Sequence, residues 1–321
     1  MDQNNSTKGL ALSREFFEEF GKPMLEENFK ELFPYIAVGC VGSGSDRYGF
    51  DDDVSQDHDF EPGFCIFLPG EDVIDRKAAF QLERAYSKLP KEYKGFKRQS
   101  ISPVGGNRFG IIRTAEFYQH SVVIADGILS LEQWLTIDDY ALAEAVNGEV
   151  FLDNYGEFSR IRDGLKTMPA DIRFKRLAGN LLIMAQSGQY NFRRCLSHGE
   201  TEAAALACHD FVESTLKVFF LLKGCYMPYY KWSFRALRQL DGGVALADKL
   251  SEVLFMDHRD EALAKKKYFI IEDIASDVIA LLMKEGITEA ICGDLEKHAY
   301  SVNDHIEDGT IRNMHVLVAI V

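Results

Sequence analysis

The sequence predicts an α/β N-terminal domain over residues 10–155, followed by an α-helical domain over residues 156–321. Three observations carry this expectation. Two short apolar stretches, Tyr35–Val41 and Phe64–Leu68, are rich in Val, Ile, Phe and Cys and flank a Gly/Ser/Asp loop, so they read as neighbouring strands. From Phe158 onward the chain changes to long runs with helical spacing. The chain has 321 residues, 46% of them apolar, which is enough to bury a large core and suggests two domains.

Taken in order, residues 1–9 read as disordered. Ser13 can cap a helix whose apolar face is Phe16, Phe17 and Phe20. Pro23 opens a second helical turn that runs through Phe29 into the first strand. After the Pro69-Gly70 turn, Glu71–Lys88 reads as an amphipathic helix (Val73, Ala78, Leu82, Ala85) that covers one sheet face. Residues 91–107 are basic and turn-rich, and Phe109–Ile112 suggests a third strand. Short helices are expected at Ser130–Leu135 and Asp138–Val146, a last strand at Glu149–Leu152 and a turn at Asp153–Gly156. Helical patterns then cover 157–167, 169–187, 199–223, 230–240, 244–256, 259–284 and 294–306. Pro169 and Pro228 suit helix starts or the turns before them.

The loop between the first two strands concentrates the chemistry. It runs from Gly42-Ser43-Gly44-Ser45-Asp46-Arg47 to Asp57-His58-Asp59-Phe60. On a strand, Asp57 and Asp59 point to one face and His58 to the other. Two carboxylates so close repel unless a cation lies between them. Hard oxygen ligands suit Mg²⁺, which takes one or two protein carboxylates plus substrate phosphates. The Gly42-Ser43 turn can bring backbone N–H groups close to a phosphate, because glycine removes the steric block. Arg47 is a further phosphate candidate, and His58 reads as a core-facing strand residue rather than a ligand. A plain solvated acidic loop is the competing reading. A calcium loop starting at Asp51 would need Gly and Glu where Gln56 and Pro62 stand. Neither a nucleophile elbow nor a P-loop pattern occurs in the run.

Gly42-Ser43, the spacer 44–56 and Asp57-x-Asp59 resemble the signature of the polymerase-β-like nucleotidyltransferase superfamily, including kanamycin-type nucleotidyltransferases. The chain is also similar to a bacterial branch known only as nucleotidyltransferase-like proteins of unknown function. That branch's pattern extends to Gly188-Gln189-Tyr190-Asn191 and Pro228-Tyr229-Tyr230-Lys231-Trp232. His58 departs from the apolar residue usual between the two acids. The resemblance implies a small mixed sheet in the N-terminal domain and an active cleft between the two domains. It implies Mg²⁺-dependent transfer of a nucleoside monophosphate from a nucleoside triphosphate to a hydroxyl of a small molecule, releasing pyrophosphate. One or two Mg²⁺ ions would be held by Asp57 and Asp59, and an aminoglycoside-like acceptor is one option. A protein adenylyltransferase and a catalytically silent nucleotide-binding module are the alternatives. Superfamily members often carry a third acid on a later strand; Glu116, Asp126 and Asp153 match by type, and no spacing selects among them.

A second constellation spans 186–202. Gln189, Tyr190, Asn191, Arg194, Glu200 and Glu202 fall between apolar helices. Polar groups so dense in a bundle are costly unless they meet each other or a ligand. The plain alternative is a capped helix–helix loop, with Gly199 ending one helix and acids in the first turn of the next. The resemblance to kanamycin-type enzymes, which take their general base from a Glu of the helical region, implies Glu200 as first candidate and Glu202 as second, with no spacing fixing either. Lys231 beside Tyr229, Tyr230 and Trp232 could hold a triphosphate while the Tyr230 ring stacks on the base. An aromatic core corner with a snorkelling lysine is the other reading.

Net charge is −14, from 50 acids and 36 bases, with no basic stripe, so nucleic acid is disfavoured as partner and cationic small molecules are favoured. The runs Lys91–Arg98 and Lys265–Lys267 read as solvated faces. The six cysteines form no Cys-x-x-Cys and read as reduced residues of a cytoplasmic protein. No signal core or membrane-spanning run is present.

Overall fold

The computed structural model describes residues 8–52, 60–98 and 108–320. The first helical run passes from α1 (Gly9–Phe16) through a π-helical turn (Phe17–Gly21) into α2 (Lys22–Asn28). Pro23 explains the widened turn: its ring lacks an N–H and crowds the turn before it. Ser13 lies buried within α1 rather than capping it, because the helix starts four residues earlier, after Lys8.

Strand β1 (Ala37–Cys40) leads into the Gly-Ser loop and β2 (Cys65–Leu68) follows it. Helix α3 (Arg76–Ser87) starts later than its amphipathic pattern suggests. Asp75 supplies the cap, its carboxylate accepting from Ala78 N at 2.7 Å, and Val73 is left outside the helix. A hairpin of β3 (Glu92–Tyr93) and β4 (Phe96–Lys97) occupies part of the basic stretch. Lys94 and Gly95 at its turn both have positive φ, as tight hairpins require. Next come β5 (Gly110–Arg113), α4 (Thr114–Val122), α5 (Leu131–Thr136), α6 (Asp139–Val146) and β6 (Glu149–Asp153). The third-acid candidates sit apart: Glu116 in α4, Asp126 in a turn, and Asp153 bonded to the amides of Gly156 and Ser159.

The remaining chain is helical. It comprises α7 (Glu157–Lys166), α8 (Ala170–Met184), a π-helical turn (Ala185–Asn191), α9 (Phe192–Ser197), α10 (Thr201–Leu222) and α11 (Tyr230–Leu237). Helices α12 (Gly243–Phe255), α13 (Glu261–Lys284), α14 (Leu295–Asp304) and α15 (Gly309–Asn313) complete it. The fold is therefore mixed α/β with a small sheet, followed by a helical region. Contacts divide the chain into two units, Met1–Ile128 with Ala141–Lys166, and Leu129–Tyr140 with Thr167–Val321.

The first unit is built on a four-stranded sheet of order β5-β2-β1-β6. β1 is antiparallel to β2 and β6, whereas β2 and β5 are parallel, so the sheet is mixed. A parallel pair needs a crossover, and α3 lies in it. Alternation along β2 buries both faces. Ile66 and Leu68 pack with Phe16, Phe17, Leu82 and Tyr86, while Phe67 meets Phe117 and stacks on Phe158 at 4.1 Å. Arg98, read as part of a solvated face, lies over the rings of Phe16 and Tyr86 and donates to the Leu89 and Pro90 carbonyls.

In the second unit α8 packs against α10 and α14. Lys175 of α8 is fully buried and donates to Asn303 Oδ1 and to the carbonyls of Arg312 and Met314, which anchors the C-terminal turns. Lys267 is also buried, contrary to the solvated-face reading. It lies on the inward side of α13, and its ammonium donates to His258 Nδ1 at 3.1 Å. The cysteines are free; Cys40 and Cys208 are buried, and Cys292 is exposed. Among the described residues, no helix is long and apolar enough to cross a membrane.

Candidate functional site

In the first unit, the loop after β1 is shaped by glycine. Gly42, Gly44 and Gly49 take φ of +96°, +132° and +68°, which side chains with a Cβ rarely adopt. Asn147, just past the end of α6, holds the first of these. Its Oδ1 accepts from Gly42 N at 2.8 Å, and its Nδ2 donates to Gly42 O at 2.8 Å. One carboxamide thus supplies both bonds that a facing strand residue would make. Arg162 of α7 fixes this segment in turn, its Nη2 lying 2.7, 2.8 and 3.0 Å from the carbonyl oxygens of Val146, Asn147 and Gly148.

Further along the loop, Asp46 and Arg47 are buried and ion-paired. Arg108 Nη2 donates to the other oxygen of Asp46 at 2.8 Å, and the Arg47 guanidinium lies over the Phe109 ring. A side chain at Gly44 would strike this pair, since its Cβ would come within 2.6 Å of Asp46 Oδ1. Arg47, expected on a phosphate, is therefore committed to the interior of the loop. Asp51 is buried and accepts from Gly9 N at the start of α1. Gly42 uses its amide on Asn147, while Ser43 is exposed. Asp57, Asp59 and His58 lie outside the described residues. Among the described residues, no cluster of three His, Cys, Asp or Glu could hold a metal ion.

In the second unit, the polar run expected between helices is itself helical. Residues Ala185–Asn191 form the π-helical turn, which continues into α9. Gly188 permits it, because a Cβ there would lie 2.3 Å from the Phe211 ring and 2.9 Å from Ile271. Beside the turn is a cavity of about 580 Å³ lined by Gln186, Gln189, Tyr190, Asn191, Tyr268, Glu272, Asp294 and Glu296, among others. Gln189 ties its walls together: Nε2 donates to Glu272 Oε2 and Gly293 O, both at 2.9 Å, and Oε1 accepts from Leu295 N. Arg194 donates to the Tyr190 hydroxyl at 3.0 Å. Burial, and then its bond to Glu272, push the Tyr268 hydroxyl pKa up, while Arg193 lies over its ring.

The structure thus brings Gln189, Tyr190 and Asn191 to one cavity, with Arg194 bonded to Tyr190. Glu200 and Glu202 do not line it. Glu200 is the N-cap residue of α10, after Gly199 in the left-handed region, and the carboxylate of Glu202 accepts from its neighbour Thr201. Glu202 lies in the first turn of α10, and the Glu200 side chain makes no cap bond there. Tyr230 and Lys231 are exposed at the start of α11, with the Tyr229 and Tyr230 rings 4.4 Å apart and Lys231 over Trp232. Sequence reasoning missed Asn147, Arg108, Tyr268 and Glu272. The last two are one turn apart on α13, a spacing that could have exposed them. Asn147-Gly148 reads only as a turn.

Comparison with known proteins adds the following. A family model described as a domain of unknown function (DUF4037) matches residues 134–233. No curated protein matches the chain. Among solved structures, the chain is similar to a nucleotidyltransferase-like protein from Exiguobacterium sibiricum 255-15, with 11% identity and a TM-score of 0.38, covering 84% of this chain and 78% of that one.

Proposed function

We propose that the protein is a Mg²⁺-dependent nucleotidyltransferase that moves a nucleoside monophosphate from a nucleoside triphosphate to a hydroxyl of a small molecule. One observation carries the reading. The Gly42-Ser43 turn begins two residues after the end of β1, Gly42 is held at positive φ, and in the sequence Asp57-x-Asp59 stands between this turn and the antiparallel strand β2. In this reading Asp57 and Asp59 are the magnesium ligands and Ser43 meets the phosphates. Magnesium bound there would offset the charge that develops on the transferring phosphoryl group. Lys231 and Tyr230 are assigned to the triphosphate and base. Gln189, Tyr190 and Asn191 would contact the acceptor, with Glu272, Asp294 and Glu296 as the carboxylates lining the same cavity. Glu200 keeps the role of candidate base, to be weighed directly against Glu296.

The test uses nucleoside triphosphates labelled at the α-phosphate, Mg²⁺ and a panel of amino- and hydroxyl-bearing small molecules. Label recovered in a small-molecule product with equimolar pyrophosphate supports the proposal. Label recovered only on protein would replace it with protein modification. Binding without release would replace it with a silent nucleotide-binding module.

A further inference from the structure

We infer that Asn147 is a positioning residue for the phosphate-binding turn, acting through Gly42. The inference rests on the nucleotidyltransferase reading, in which Ser43 meets the phosphates.

The geometry is that of a strand pairing made by a side chain. Gly42 lies past the end of β1, where ladder bonds stop, yet both its N–H and its C=O are bonded, at 2.8 Å each, to the one carboxamide. Donor and acceptor must both be present, and among uncharged side chains of this length only asparagine offers them in one plane. The carboxamide is itself held. Arg162 gathers the carbonyls of 146–148, and Gly148 sits in the left-handed region, where a Cβ would come within 2.1 Å of Cys40 O. A chain of fixed groups therefore runs from α7 through Asn147 to Gly42. One consequence is that the Gly42 amide is spent internally. The next backbone N–H, that of Ser43, belongs to the peptide whose carbonyl Asn147 holds, so its direction is set by this clamp.

Asn147→Asp tests this in one protein. The ionised carboxylate accepts from Gly42 N–H but cannot donate to Gly42 C=O, and it places a negative charge beside the phosphates. Once protonated, the carboxyl again donates and accepts with nearly the same shape. Binding of Mg-ATP to the full-length chain, followed by calorimetry, should be weakened about tenfold or more at neutral pH in Asn147→Asp, in keeping with loss of a paired hydrogen bond. Taken as the ratio of the two affinities at each pH, so that protonation of Asp57, Asp59 and the nucleotide is common to both proteins, the deficit should shrink as pH falls through the titration of the new carboxyl. A role in stability alone would not produce that pH profile. Asn147→Ala should be weakened at every pH, and hydrogen exchange should show Gly42 N–H protected in wild type and unprotected in Asn147→Ala.

Equal affinities across the three proteins, or an Asn147→Asp profile parallel to wild type, overturn the inference while leaving the nucleotidyltransferase reading intact. No binding by wild type overturns the reading and the inference together. If the exchange of Gly42 N–H is the same in wild type and Asn147→Ala, the clamp itself is wrong whatever the nucleotide does.

Discussion

Arg176 and Asp139 offer a quantitative test of how the second unit is held together. Both side chains are buried, at 1% and 7% exposure. Arg176 Nη1 donates to Asp139 Oδ1 at 2.7 Å, and Nη2 donates to the carbonyls of Trp134 and Ile137 at 2.8 and 2.5 Å. The guanidinium of α8 thus fastens segment 129–140 to the helical unit. In Asp139→Asn the guanidinium keeps its charge and loses its counter-ion, which should cost about 3–5 kcal/mol. Arg176→Met removes the charge instead. The Trp134 and Ile137 carbonyls are then left unpaired, at about 1–3 kcal/mol each, and Asp139, whose pKa burial already pushes upward, loses the guanidinium that opposes that shift. The double variant removes both charges of the pair, so its loss should be smaller than the sum of the two single losses. Urea unfolding followed by Trp134 fluorescence, in a Trp232→Phe background, reports on the right neighbourhood. If Asp139→Asn costs less than about 1 kcal/mol, or if the two single losses simply add in the double variant, the pair does not hold this segment as argued.

Lys267 predicts an alkaline signature. Burial lowers its pKa, so between that lowered value and the ordinary lysine value near 10.5 the unfolded chain binds more protons than the folded one. Stability from this group therefore rises with pH through that window. The unfolding free energy of wild type minus that of Lys267→Met should increase as pH climbs through that window; a flat difference contradicts it. Gly188→Ala should cost about 1–3 kcal/mol, because the new methyl group meets the Phe211 ring and Ile271. A thermal melt unchanged by that substitution would show that α10 and α13 do not approach the π-helical turn so closely.

Much of this architecture was legible in the chain. Tyr35–Val41 and Phe64–Leu68 announced β1 and β2, because a strand buried on both faces reads as a continuous apolar run. The long helices from α7 to α14 carried clear periodicity. What escaped depended on single bonds or on distant partners. Lys94-Gly95 turns a hairpin without the usual Asn-Gly signal. The π-helical turn at Ala185–Asn191 breaks the regular period, so its amides resembled a loop. Lys267 sits in a run of three lysines, and only its register on α13 separates it from two exposed neighbours. Arg47 resembled a phosphate ligand because its partner, Asp46, is adjacent and acidic loops usually face water. Asn147 meets Gly42 across 105 residues, a contact that local pattern cannot supply.

The role assigned to Asp57 and Asp59 is read out by pyrophosphate release from a nucleoside triphosphate in the presence of Mg²⁺ and acceptors. Wild type should release pyrophosphate in a metal-dependent way, and Asp57→Asn/Asp59→Asn should lose that release at an unchanged melting temperature. Release at the wild-type rate by that double variant would contradict that role.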